Sequence, residues 1–297
     1  MTAALIYFSA FAVYWLVDYY AGKHRQQLSL TRACTPPAVA ATDIVVNGRQ
    51  LDMEDRELHT MLSKRFHYYQ WLNEDNKHLF RARLHRFLKA KIFIIKNEEG
   101  FREMPVLVCA AAVQLTFGLR EYNLPFYRYI RIYPEEFFSH DYLRILAGNV
   151  SQNTISVAWN HLLHGYQDAL DGSNVGLHEM SHALYFQKIE VEKKYARVFA
   201  RRFEHLMTNC SLAAQTELTG AKNLYSSYAD KNEQEFWAET VELFFERPQD
   251  LQNHYPAVFA AMVQLLRQNP IQKEDPVLRR KIPVRLLRFQ HRMAIRQ

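Results

Sequence analysis

An almost uninterrupted apolar run, PVLVCAAAVQLTFGL at residues 105–119, sets the first limit on how this chain can fold. The run is shorter than the roughly 20 residues that a membrane-spanning helix needs, and polar residues flank it. Pro105 suits the first turn of a helix. A helix that is apolar on every face has to be covered on every face. The run therefore predicts a central buried helix around which the rest of the chain packs.

Short β-branched segments and longer amphipathic segments surround this run. Residues 92–95, 127–133 and 154–159 are short and apolar or alternating, which is typical of strands. Residues 52–88 are strongly charged with recurring apolar positions and read as two amphipathic helices. After Asn174 the chain reads as helical. Strands early and helices late predict an α+β domain, mostly helical with one small sheet.

Composition excludes several classes of protein. The chain has 297 residues, of which 48% are hydrophobic and 23% charged, and its 3 Cys form no CxxC pair. These values argue against a disordered chain, a disulfide scaffold and a cysteine zinc ribbon. The net charge of +6 is local, because residues 279–297 hold seven basic side chains and no acidic one. The rest of the chain is close to neutral, so we expect no direct nucleic-acid binding.

The N-terminal segment is a second biased stretch. Residues 3–17 read AALIYFSAFAVYWLV, and the first basic side chain is Lys23. Counted through Tyr20, the run is just long enough to cross a bilayer, and the basic residues after it favour a cytoplasmic domain. We expect a single membrane-anchoring helix here. The alternatives are a buried first helix of a soluble cytoplasmic domain and half of a hairpin in the membrane interface.

The motif GLHEMSH contains an HExxH pattern formed by His178, Glu179 and His182. Positions i and i+4 of a helix lie on one face, so both imidazoles can reach one ion. Glu179 lies about 100° around the helix, where its carboxylate can reach a metal-bound water. The pattern also occurs by chance on exposed helices, but apolar flanks predict a buried helix, in which an unpaired carboxylate is costly. The motif predicts a Zn²⁺ site with Glu179 as general base.

A catalytic zinc site needs a third protein ligand. The segment KNEQEFWAETVELFFE carries Glu235, Glu239 and Glu242 on one helical face among large aromatic residues. Each of them is a candidate ligand, and the others would hold the histidines or lie at the surface. Asp168 and Asp171 are further candidates for holding the histidines.

Longer stretches of the sequence resemble a known family. NxxxHExxH from Asn174, then YADKNEQEFWAETVELFFERP and YPAVFAAMVQLLRQNP, are similar to the Mlc titration factor A family of zinc metallopeptidases. Members of that family are gluzincins, similar to the catalytic domain of anthrax lethal factor. Upstream, FREMPVLVCAAAVQLTFGL before YRYIRIYPEEFF is similar to the family's buried helix and following strand. The resemblance runs from about Leu58 to Pro270 and implies a zincin-like metallopeptidase domain.

The resemblance implies a role for each motif residue. His178 and His182 match the family's zinc ligands, and Glu179 matches its general base. Glu235 matches the third ligand, because it is the first Glu of the family's E-x-F-A-x-x-x-E-x-F-F pattern. Glu242 matches the second Glu, which is not a ligand. One Zn²⁺ per chain is therefore implied.

The resemblance also implies how a substrate is held. Tyr228 matches a tyrosine that hydrogen-bonds the tetrahedral intermediate, and Tyr225 is its nearest competitor. ISVAWN is similar to the family's active-site edge strand, so the strand around Ser156, with Trp159, would hold a peptide as an added strand. The sequence after His182 lacks the Gly/Asp-rich loop that the resemblance leads us to expect.

Together these features divide the chain into four parts. We expect a hydrophobic membrane-anchor helix at 1–22, a linker at 23–50, a zincin-like peptidase domain at 51–272 and a basic tail at 273–297. The tail suits an anionic membrane surface or, equally, a helix that caps the core.

Two functions are compatible with the sequence. The first is a membrane-anchored zinc peptidase that acts on a peptide or protein substrate, as an aminopeptidase or an endopeptidase. The second is a regulatory protein that binds a partner, such as a transcription factor, with weak or vestigial peptidase activity. The resembling family is associated with both. The complete ligand set favours the enzyme, because a pure binding module does not need Glu179.

Overall fold

A computed structural model of the chain describes most of the region between the two biased ends. The described residues are 36–96, 102–140, 142–192, 195–219, 224–225 and 233–278. The predicted anchor helix at residues 1–22 and Tyr228 lie outside them. Within this described part, no helix combines the length and the apolarity needed to cross a bilayer. The division of the chain into four parts stays a prediction.

The described strands form one five-stranded sheet and a separate two-stranded ribbon. Their bounds are β1 Ile44–Asn47, β2 Ile92–Ile95, β3 Tyr129–Tyr133, β4 Phe137–Ser139, β5 Arg144–Leu146, β6 Gly148–Ser151 and β7 Thr154–Ala158. The sheet has the order β1-β2-β3-β7-β6, and β4 pairs with β5. Strands β2, β3 and β7 run parallel, and both outer strands run antiparallel to their neighbours.

Helices make up most of the described chain. Their bounds are α1 Asp55–Arg65, α2 His67–Trp71, α3 Glu74–Lys89, α4 Glu103–Thr116, α5 Trp159–Gln167, α6 Val175–Tyr185, α7 Arg197–Thr219, α8 Glu233–Glu246, α9 Pro248–His254 and α10 Pro256–Leu266. A π-helix, Phe186–Val191, continues α6. Helices α9 and α10 each begin with a proline, which fits a first turn but cannot continue a preceding helix. The fold is therefore mixed, mostly helical with a small sheet, as the sequence predicts.

Helix α4 lies in the core, as its apolar sequence predicts. Every residue from Met104 to Thr116 is buried. The Thr116 hydroxyl is satisfied inside the helix, where it donates to the carbonyl of Ala112 (2.6 Å). Helix α4 packs against α3 and against α6, which carries the HExxH motif. The apolar run thus forms the support on which the candidate site is built.

The N-terminal half differs from the sequence prediction in two places. The region 52–88 forms three helices instead of two, because Phe66 adopts an extended conformation (φ −120°, ψ 93°) that separates α1 from α2. Strand β1 lies within the expected linker at 23–50 and pairs with β2. Its four residues, IVVN, are too few to show the alternating pattern of a strand in the sequence.

The edge of the sheet near the HExxH helix is β6, so the prediction that ISVAWN forms the edge strand is wrong. Strand β7 lies between β3 and β6 and is buried along its whole length. Ser156 pairs with Arg131 on one side and Asn149 on the other, which prevents it from accepting a peptide strand. Strand β6 reads GNVS and has a single apolar side chain, so its sequence carries no strand pattern.

A buried lysine, Lys91, connects the end of α3 to the loop before β3. Its side chain is enclosed, and Nζ donates to the carbonyl oxygens of Asn123 (2.7 Å), Leu124 (2.8 Å) and Tyr127 (2.6 Å). Burial lowers the pKa of Lys91 to about 7. The three carbonyls act in the opposite direction, because only the ammonium form has three N–H groups to donate. This contact fixes the path of the chain into the centre of the sheet.

The substitution Lys91→Met tests this contact, since it keeps an unbranched side chain only one atom shorter and removes the ammonium group. We expect the free energy of unfolding to fall by about 2–4 kcal/mol, because buried carbonyls lose a charged donor. Urea denaturation at pH 7 measures the change. Lys89→Met, on the exposed last turn of α3, is the matched control and should stay within about 0.5 kcal/mol of the wild type. Equal effects of the two substitutions would contradict this role.

Candidate metal centre

The position of helix α6 is fixed at its first turn. Asn174 is the N-cap, and its Oδ1 accepts a hydrogen bond from the backbone N–H of Leu177 (3.1 Å). A Cβ added to Gly176 would lie 2.7 Å from a side-chain carbon of Leu162, so the glycine allows close approach of α6 to α5. The helix also packs against α4, α8 and strands β6 and β7. Its polar residues are therefore enclosed on several sides.

Three of the predicted site residues converge on one point. His178 Nε2 lies 3.2 Å from His182 Nε2 and 3.3 Å from Glu235 Oε2. His182 Nε2 lies 3.7 Å from Glu235 Oε1. Helix α6 supplies both imidazoles and α8 supplies the carboxylate. The side chains keep 24%, 17% and 27% of their surface exposed, in the same order, so the group can be reached from solvent.

The spacing of these donor atoms fits a zinc ion. At bond lengths of about 2.0–2.1 Å, two ligand atoms at a tetrahedral angle lie roughly 3.3 Å apart. The two imidazole nitrogens lie 3.2 Å apart, and each has a Glu235 oxygen near this distance, Oε2 at 3.3 Å from His178 and Oε1 at 3.7 Å from His182. Two imidazole nitrogens and one carboxylate are also the donor chemistry of zinc hydrolases. Among the described residues, His178, His182 and Glu235 form the group of metal-ligating side chains that can hold an ion.

Glu242 lies behind His178. Its Oε2 is 3.2 Å from His178 Nδ1, so the N–H on Nδ1 donates a hydrogen bond to this carboxylate. The other ring nitrogen, Nε2, faces the candidate ligand atoms of His182 and Glu235. A carboxylate in this position fixes the tautomer and the orientation of a ligating imidazole. Of the three acidic candidates on α8, Glu235 faces Nε2 of both histidines, and Glu242 faces Nδ1 of His178. Glu239 is not among the side chains whose donor atoms converge.

The charges of the site are strongly coupled. Burial acts to lower the pKa of His178, but hydrogen bonds to Glu235 and Glu242 outweigh it and hold that pKa well above its usual range. Burial acts to raise the pKa of Glu235, but the two histidines outweigh it and hold that pKa at about 2. Without a metal, the carboxylates are therefore balanced by a proton on His178. A bound cation would replace that proton, since a ligating imidazole must be neutral.

Glu179 lies beside the donor group, against strand β6. Its side chain is buried, and a Cβ added to Gly148 would lie 2.5 Å from both Cγ and Oε1 of Glu179. Burial and the charges of Glu235 and Glu242 raise the pKa of Glu179 to about 8. A carboxylate with such a pKa can accept and release a proton near neutral pH. Nothing in the sequence around Gly148 indicates this role, because the role depends on the sheet lying against α6.

A tryptophan joins the two helices of the site. Trp237 on α8 is fully buried, and its indole N–H donates to the carbonyl of Ser181 on α6 (2.9 Å). The Ser181 hydroxyl in turn donates to the carbonyl of His178 (2.6 Å). The aromatic character of α8 thus has a specific use, because it fixes the carboxylate-bearing helix against the histidine-bearing one.

The prediction that Asp168 and Asp171 hold the histidines is wrong. Both side chains are exposed, and they accept hydrogen bonds from the backbone N–H groups of Leu170 (3.1 Å) and Ser173 (2.8 Å). Asp and Asn side chains favour such local bonds in turns. The supporting position that was assigned to them belongs to Glu242.

Of the two tyrosine candidates, only Tyr225 lies within the described residues. Its ring stacks on Phe236 with centroids 4.3 Å apart, and its hydroxyl lies 3.2 Å from Thr240 Oγ1. Tyr225 is therefore buried against α8 as a packing residue. The role of Tyr228 stays a prediction.

The segment after the HExxH motif is a π-helix in place of the Gly/Asp-rich loop. Within it, Lys188 is buried and pairs with Glu192 (2.7 Å) and Glu121 (3.2 Å). Gln187 accepts a hydrogen bond from the backbone N–H of Phe126 (2.9 Å). These contacts anchor the far end of the histidine-bearing helix to the loop before β3.

Comparisons with known proteins place the chain in a family. The model of a family described as glucose-regulated metallo-peptidase M90 matches residues 47–267, which is more than half of the chain. An uncharacterized protein of Synechocystis sp. is 23% identical over 227 residues, which cover 68% of this chain and 80% of that protein. The family match confirms the resemblance read from the motifs. This chain belongs to the M90 family of glucose-regulated metallo-peptidases.

Proposed function

We propose that the protein is a zinc-dependent peptidase with a zincin-like catalytic domain. In this proposal His178, His182 and Glu235 hold one Zn²⁺, and Glu179 is the general base. The convergence of two imidazole nitrogens and the Glu235 carboxylate, at separations near those of zinc ligands and with a second carboxylate buried beside them, carries the proposal. Membership of a metallopeptidase family supports the class of reaction.

In the proposed reaction, the metal and the side chains of the protein would have separate roles. Zinc bound to three protein ligands would leave one position open, polarise the scissile carbonyl and lower the pKa of water from about 15.7 to about 7. Glu179 would take the proton of the attacking water and pass it to the leaving amine. Tyr228 would donate a hydrogen bond to the developing oxyanion, as the family resemblance implies.

A peptide substrate would lie along the outer edge of β6. In the described part of the chain, β6 has β7 on one side and no strand on the other. The backbone groups of such an edge can pair with an extended peptide. Gly148 begins this strand and touches Glu179, so a peptide bound there would pass the catalytic carboxylate. Extended or unfolded segments are therefore the expected substrates.

The substitution His182→Ala tests the metal site. We expect the purified wild type to bind one equivalent of zinc, measured by inductively coupled plasma mass spectrometry after dialysis. His182→Ala should lose the metal and keep its fold, because two donors remain and α6 is held by its other contacts. His161→Ala is the control, since His161 is partly exposed and pairs with Glu136. Stoichiometric zinc in His182→Ala would contradict the ligand assignment.

The substitution Glu179→Gln tests the chemistry separately from metal binding. Glutamine keeps the shape but cannot accept the proton, so zinc should stay bound while kcat/KM falls by about 10²–10⁴-fold. Casein and a library of quenched-fluorescence peptides serve as substrates. Glu74→Gln, at a highly exposed glutamate on α3, is the control.

A zinc-loaded wild type that hydrolyses none of these peptides would contradict the peptidase proposal. That outcome would favour the alternative, a regulatory protein that binds a partner such as a transcription factor.

The substitution Gly148→Ala tests the placement of Glu179. The new methyl group would have to displace the carboxylate, and a misplacement of about 1 Å can cost about 10²-fold in rate. We therefore expect kcat/KM to fall at least about tenfold. Zinc affinity should stay near that of the wild type, because Glu179 is not one of the proposed ligands. Val150→Ala, two residues along the same strand, is the control for damage to β6. Unchanged activity in Gly148→Ala would show that Glu179 is not held by this strand.

A further inference from the structure

The two helices of the metal centre meet a second time, away from the ligands, at Asn174. This residue caps α6, and it also donates hydrogen bonds to two carboxylates of α8. Its backbone N–H donates to Glu242 Oε1 (2.6 Å), and its side-chain NH₂ donates to Glu246 Oε1 (2.9 Å). We propose that Glu246 is a positioning residue that acts through Asn174 to hold the histidine-bearing helix in register with the helix that carries Glu235. The inference rests on the proposed zinc function and names a residue outside the ligand set.

The first step runs through Glu242. One oxygen of this carboxylate accepts from the backbone of Asn174, and the other faces His178 Nδ1 at 3.2 Å. The direction of the His178 ring therefore depends on where Asn174 holds Glu242. The carbonyl of Asn174 also accepts a hydrogen bond from the backbone N–H of His178 (2.9 Å). A shift of Asn174 would therefore move both the backbone of His178 and, through Glu242, its ring.

The second step runs through Glu246. Its Oε1 accepts from Asn174, and its Oε2 accepts from the backbone N–H of Gly172 (3.1 Å). Gly172 has φ +84°, a conformation that favours glycine, and it begins the turn that leads into α6. Glu246 thus holds both the turn and the cap. It lies one helical turn beyond Glu242, so the two carboxylates lie on the same face of α8 and both accept hydrogen bonds from Asn174.

This arrangement supports positioning in preference to simple packing. Glu246 is buried, and burial raises its pKa to about 8. A buried carboxylate is a weak source of stability, and its best-attested use is to fix the register of packed elements. On α8, Trp237 bonds to α6 near His182, and Glu246 bonds to Asn174, the N-cap of α6. Two contacts at separate points prevent one helix from sliding along the other.

A donor–acceptor exchange tests the inference. Asn174→Asp keeps the cap and the backbone bond to Glu242, but sets a carboxylate against Glu246. Glu246→Gln leaves one acceptor oxygen for two donors, so its NH₂ group has to face either the NH₂ group of Asn174 or the backbone N–H of Gly172. The double variant restores a pair in reversed direction, with Gln donating to Asp. Gln268→Ala is the control, because Gln268 is fully buried and bonds to Tyr68, remote from the ligands.

The readout is zinc affinity, measured by competition with a chelator on folded protein, with thermal melting of the metal-free protein alongside. We expect each single variant to weaken zinc affinity by about tenfold or more, in the range found for groups that orient metal ligands. The double variant should recover most of this loss, because neighbouring substitutions couple. Gln268→Ala should lower the melting temperature and keep the affinity of the wild type.

Wild-type affinity in both single variants would overturn the inference, as would an equal loss of affinity in Gln268→Ala. A double variant with the combined loss of both single variants would show that the two side chains do not act as a pair. A wild type that binds no zinc would instead contradict the proposed function itself, so the two failures can be told apart.

Discussion

A carboxylate from one helix held against two imidazoles of another is the interaction on which the candidate site depends. Glu235, His178 and His182 bring their donor atoms within 3.2–3.7 Å of one another. Such a group is balanced only when a positive charge lies within it, because Glu242 adds a second carboxylate behind His178. A proton on His178 supplies that charge in the metal-free protein. Zinc would supply it more completely, and the spacing fits a tetrahedral ion.

The rest of the fold serves to hold these groups still. The apolar helix α4 supports α6 from within the core, and the π-helix anchors the far end of α6. Trp237 joins the two site helices near the histidines, while Asn174 joins them at the start of α6. Strand β6 lies against Glu179 and is at the same time the outer strand of the sheet in the described part of the chain. The proposed general base, the candidate metal ligands and the outer edge of β6 are thus positioned by one set of packed elements.

The sequence predicted those features whose signal is local. The HExxH spacing places two histidines on one helical face, and the apolar run gives a buried helix because its apolar side chains surround the helix on every face. The choice of Glu235 among three acidic residues on α8 came from family resemblance, since spacing alone puts all three on one face. The mixed, mostly helical fold followed from short strands early and longer helices later.

The features that were missed depend on contacts between distant segments. Strand β6 has too few apolar residues to show a period, and the expectation that β7 forms the edge came from the family resemblance of ISVAWN. Gly148 matters because of what lies opposite it, and a glycine in a sequence does not show its neighbours. Asp168 and Asp171 are candidates for holding the histidines, but the carboxylate that contacts His178 is that of Glu242, 64 residues further along the chain.

A crystal structure of the zinc-loaded protein, with anomalous diffraction recorded at the zinc absorption edge, tests the central claim most directly. The account predicts one ion about 2.0–2.2 Å from His178 Nε2, His182 Nε2 and a carboxylate oxygen of Glu235, with solvent in a remaining position. An ion bound elsewhere, or one that takes Glu242 in place of Glu235, would contradict it.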